Sequence, residues 1–73
     1  MDWKSAIASL QGRGLTQPQI AAWCGCGQST ISELAVGRTK DPRDSTGQAL
    51  RSLLELSSKP EFDPSEIAAR VAG

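Results

Sequence analysis

The stretch from Thr16 to Val36 constrains this chain more than any other, because it writes two short helices and the turn between them in consecutive residues. Thr16 has the hydroxyl of a good N-cap. Gln19, three residues on, has the amide that reaches back to it, and together they make a capping box. Leu15 before the cap and Ile20 at the fourth helical position are spaced as a hydrophobic staple, while Pro18 falls in the first turn, where its missing N–H does no harm. Ile20, Ala21 and Cys24 then form a narrow inward face. Gly25 ends the helix: lacking a Cβ, it suits the left-handed conformation that lets the chain bend and restart within about three residues. In the second helix Ile31 and Leu34 are the inward pair, which turns Gln28, Ser29, Thr30, Ser32 and Glu33 outward or toward its N-terminal end. Each feature alone is general helix chemistry. Their joint spacing, an alanine, a glycine four residues later and an aliphatic six residues after that, reads as a helix-turn-helix over residues 16–36.

More helices flank this unit. Asp2 can cap a first helix in which Trp3, Ala6, Ile7 and Leu10 make one apolar stripe, stopped by Gly12 and Gly14. After residue 43, Asp44 or Ser45 can cap a helix carrying Ala49, Leu50, Leu53, Leu54 and Leu56, with Lys59 and Pro60 marking its end. Asp63, Pro64 and Glu66 form a further capping signature, with Phe62 and Ile67 spaced as a staple, and open a short helix over 63–72 that includes Ala68 and Val71. No segment alternates convincingly as a strand, and residues 57–62 read as a connector rather than a domain boundary. The expectation is one all-α domain over residues 1–73, a small five-helix bundle.

Leu15 through Arg43 resembles the repressor and Cro proteins of lambdoid phages, the broad Cro/CI helix-turn-helix family. Gly37-Arg38-Thr39-Lys40-Asp41-Pro42-Arg43 is similar to the basic, proline-bearing loop that follows the recognition helix there. The resemblance covers residues 3–57 at most and is specific within 16–43. It implies a lambda-repressor-like DNA-binding fold in which the second helix of the motif enters the major groove, about 12 Å wide and able to admit one helix. Gln28 then reads adenine, an assignment its chemistry supports, since its amide can donate to N7 and accept from the N6 amino group. Ser29 reads a neighbouring base, Thr30 offers a methyl to thymine, and Ser32 and Glu33 lie further along the same surface. Glu33 can accept from cytosine N4 but also repels phosphates. The resemblance further implies that Gln17 touches a phosphate and braces Gln28, and that the amides starting its helix assist. Arg38, Thr39 and Lys40 run beside the backbone, and Arg43 enters the minor groove. An ordinary solvated glutamine and a solvated basic loop are the plainer readings of these positions. Asp41 and Val36 depart from the family pattern, and Arg13 either reaches a phosphate or covers the end of the first helix.

Composition bounds the alternatives. At 73 residues the chain is near the size where one core is marginally sufficient, so a partner subunit would help. Formal charge is zero, but residues 13–43 carry four basic and two acidic side chains whereas residues 52–73 carry two and four, so the positive end is the one with the motif. There is no histidine, and the two cysteines, Cys24 and Cys26, cannot build a four-ligand zinc site or an activated nucleophile. Neither an enzyme nor a cofactor is expected. No apolar run has the length of a bilayer span, which places the chain in the cytoplasm of a bacterial or phage-infected cell.

The expectation is therefore a sequence-specific DNA-binding regulator, a phage or prophage repressor of Cro/CI type that binds a partly palindromic operator. One recognition helix covers too little groove, so a homodimer placing two about 34 Å apart is expected. Leu56, Phe62, Ile67 and Val71 are the candidate dimer contact, or else they close the monomer's own core. The competing readings are a DNA-targeting or protein-interaction module of a transposase, recombinase or antitoxin system.

Overall fold

A computed structural model describes residues 2–38 and 43–72, apart from the side chain of Ala72. They form five helices, α1 (Trp3–Gly12), α2 (Gln17–Cys24), α3 (Gln28–Val36), α4 (Asp44–Ser57) and α5 (Pro64–Ala72), with no strand among the described residues. Three helices start on side-chain caps. Asp2 accepts from the Lys4 amide at 3.2 Å and from the Ser5 hydroxyl at 2.8 Å. Thr16 and Gln19 complete the capping box, the Thr16 hydroxyl accepting from the Gln19 amide at 3.3 Å and the Gln19 side chain accepting from the Thr16 amide at 3.0 Å. Asp63 accepts from the Ser65 amide at 2.9 Å.

The other two helices start without one. α3 begins after Gly27 and α4 after Arg43, and neither N-cap offers a side-chain bond. Asp44 and Ser45 are thus not the caps of α4: the helix starts a residue earlier than expected, and Asp44 sits inside the first turn, where its charge complements the positive end of the helix dipole. The helix ends at Ser57, just ahead of Lys59 and Pro60, as expected. The Arg13 guanidinium donates to the Ser57 carbonyl, satisfying one of the acceptors that a helix C-terminus leaves over, so Arg13 links the ends of α1 and α4.

Ten buried side chains make the core: Ile7 and Leu10 of α1, Leu15, Ile20 and Ala21 around α2, Ile31 and Leu34 of α3, Leu50 and Leu53 of α4, and Ile67 of α5. Trp3, Trp23, Cys24, Leu54, Phe62 and Val71 pack around it half-buried. α2 touches α3, α4 and α5, while α1 lies against α3 and α4. Trp23 ties this junction together, its indole N–H donating to the Ala49 carbonyl at 3.2 Å while the Arg70 guanidinium sits 5.8 Å from the ring centroid.

Three glycines among the described residues have left-handed backbone, Gly14, Gly25 and Gly37. Gly25 closes α2 in the left-handed region at φ 69°, and a Cβ there would meet nothing within 4 Å. Gly14, at φ 100°, would place a Cβ 3.0 Å from Pro64 Cγ. Gly25→Ala should therefore cost about 1 kcal/mol of backbone strain alone, and Gly14→Ala measurably more, when unfolding is followed in urea. The caps give a second expectation. Asp2, chiefly through the Ser5 hydroxyl, and Asp63, chiefly through the Ser65 amide, are held below the usual carboxylate range. A depressed folded pKa contributes stability above the unfolded value that disappears as pH falls through the folded one. Thermal melts in acid should decline less steeply for the double variant Asp2→Asn, Asp63→Asn, which keeps both caps but cannot titrate.

Candidate nucleic-acid interface

α3 is anchored by Ile31 and Leu34, both fully buried, and at about 100° per residue the opposite face must point outward. Gln28, Ser29, Glu33 and Val36 are exposed there, Val36 at 61 %, while Thr30 and Ser32 are half-buried on the two flanks. The side chains of Gln28 and Ser29 make no hydrogen bond to any described residue. Short or amide-bearing side chains on an exposed helix face are what base-edge recognition needs. α3 ends at Gly37, whose φ of 82° turns the chain so that the Arg38 amide reaches back to the Glu33 carbonyl at 2.9 Å. Arg38 and Arg43 are both exposed, at either side of the undescribed residues. Thr39 and Lys40, together with Asp41, lie outside the described residues.

Gln17 and Gln28 are not a pair. The Gln17 side-chain oxygen accepts from the Ser32 hydroxyl at 2.7 Å, one helical turn beyond Gln28 on the same flank of α3. Ser32 is thereby occupied as a brace between α2 and α3, and Gln17 keeps its amide N–H groups for an outside acceptor. The start of α2 also offers fewer free amides than expected. Pro18 has none and the Gln19 amide is taken by Thr16, which leaves only that of Gln17.

The residues expected to form a dimer contact divide. Ile67 is 3 % exposed and belongs to the chain's own core, with Phe62 and Val71 packed against it. Leu56 is half-buried outside that cluster.

Burial disfavours the thiolate form of both cysteines. Burial, and secondly the neighbouring Cys26, push the Cys24 thiol up to about 12, and burial also raises Cys26. Among the described residues no cluster of metal-ligating side chains occurs and no helix is long and apolar enough to cross a membrane. Iodoacetamide at about pH 8 should alkylate Cys26 before Cys24, with the two rates converging in denaturant, as read by peptide mass spectrometry.

No protein-family model and no solved structure matches this chain significantly. Protein P2 of Acyrthosiphon pisum secondary endosymbiont phage 1 is 45 % identical to it over 53 residues, which is 71 % of this chain and 56 % of the relative. The chain thus spans little more than half the length of that curated relative, and the likeness is to a phage-encoded protein.

Proposed function

We propose that this chain is a sequence-specific DNA-binding regulator of phage or prophage type, with α2 and α3 as a helix-turn-helix and α3 lying in the major groove. The observation that carries the reading is the unpaired, exposed Gln28-Ser29 step at the start of a helix rolled outward by its two buried aliphatics. Gln28 reads adenine and Ser29 its neighbour. Thr30 and Glu33 contact bases at the edges of the surface, and Ser32 acts by positioning Gln17. Gln17, Arg38, Lys40 and Thr39 meet the backbone, and Arg43 the minor groove. The phage-encoded relative fits a repressor of Cro/CI kind acting in the cytoplasm of a bacterial host. No cofactor takes part.

Specific occupancy needs two recognition helices, so the operator is partly palindromic and the protein binds it as a homodimer. With Ile67 committed to the core, the contact falls on Leu56 and the outer edges of Phe62 and Val71. A protein-interaction module is the second reading, favoured by the balanced charge and by Val36, a large apolar side chain open to solvent.

Selection from random duplexes should yield a symmetric consensus, and sedimentation should show two chains per duplex. Against that consensus Gln28→Ala should cost about 1–3 kcal/mol and relax preference at one position, whereas Arg38→Ala should weaken all duplexes alike and flatten the salt dependence. Equal losses on cognate and scrambled duplexes would remove Gln28 from base reading. A selection that enriches nothing would favour the interaction module.

A further inference from the structure

Ser29, Glu33 and Val36 are spaced four and three residues apart, so at about 100° per residue their side chains stand in one row along α3. Ile31 and Leu34 are fully buried on the other side, which puts that row on the part of the helix turned most directly away from the core. Val36 closes the row. It is 61 % exposed, and among the described residues no other large apolar side chain is exposed.

Local folding gives no reason for a valine there. A β-branched side chain is stiff in a helix, so alanine, lysine or glutamine would stabilise an exposed last turn better. Nor does Val36 close the helix, since Gly37 does so and the Arg38 amide reaches back to the Glu33 carbonyl. The amount of apolar surface decides between partners. A protein interface of ordinary size takes about 800 Å² from each side. Val36 offers one isopropyl group with Glu33, Gly37 and Arg38, all exposed, as its neighbours, which is too little for such a face but matches a single methyl. In the major groove, thymine presents one at C5.

We propose that Val36 is a further specificity-determining residue of the reading surface, selecting thymine through van der Waals contact with its 5-methyl group. The inference rests on the DNA reading of α3 and adds to it a contact of different chemistry: Gln28 discriminates by hydrogen bonds, Val36 by taking a methyl out of water. Seven residues at 1.5 Å each place Val36 about 10 Å beyond Ser29 along the helix, so its thymine lies beyond the bases that Gln28 and Ser29 read, toward the C-terminal end of α3.

The intact chain is titrated by fluorescence anisotropy against the selected consensus, and against copies in which deoxyuridine replaces each thymidine of one half-site in turn. That exchange removes the methyl and keeps every hydrogen-bonding atom. At one position the wild-type protein should bind the deoxyuridine duplex about fourfold more weakly, the worth of one methyl returned to water. Val36→Ala should bind the two duplexes equally there while keeping the preference at the Gln28 position, and Val36→Ile should retain the distinction. Circular dichroism checks both variants for native helicity. A symmetric consensus in which no deoxyuridine weakens binding, or in which Val36→Ala responds to each exchange as the wild type does, would overturn the role of Val36 and leave base reading by Gln28 standing; it is also the result that a protein-facing valine gives. A selection that enriches nothing removes both.

Discussion

The roll of α3 about its own axis depends on burying Ile31 and Leu34, and the proposed reading surface depends on that roll. The two side chains are three residues apart, so they share one face, and each is fully buried. Burial of an aliphatic of this size stabilises by about 1.5–3 kcal/mol, whereas one internal hydrogen bond contributes about 1 kcal/mol. The apolar pair therefore sets the orientation, and the bond between Ser32 and Gln17 refines it. Turning the helix by a single residue would expose Leu34 or sink a polar neighbour, an exchange the core could not offset.

Around this anchor the helices are joined by few polar ties, each closing a distance the chain does not close locally. Arg13 holds the end of α4 from the C-terminal end of α1, 44 residues away in sequence. Trp23 joins α2 to α4 through its indole N–H and to α5 through the guanidinium of Arg70. For a domain this small such ties matter, because the apolar core alone approaches the lower limit for independent folding. They also leave α2, which bears the Gln17 brace, in contact with three other helices.

What could be foreseen from the residues divides along the range of the interaction. The capping box at Thr16, the staple of Leu15 and Ile20, the turn at Gly25 and the inward pair on α3 all act within a few residues, and each is where the spacing placed it. The outward set on α3 follows from the same periodicity. Ser32 bonding to Gln17 does not, because serine and glutamine carry no signal for a partner on another helix. Nor does Arg13, whose carbonyl partner exists only once α4 has ended. Trp23 did give a usable hint: an indole beside an inward position needs an acceptor, and its neighbours in the sequence offer none. The start of α4 was misplaced because Asp44 and Ser45 are both good caps, yet a carboxylate is also favoured one residue inside a helix, and here the dipole rather than the cap explains it.

The setting of Trp23 has an optical consequence. An indole that donates to one helix while lying under a cation from another emits according to both arrangements, so its wavelength and quenching report any loosening between α2, α4 and α5. That makes the chain its own fluorometer. A Trp3→Phe background isolates the signal, and conformational drift behind the outward helix becomes visible without a label.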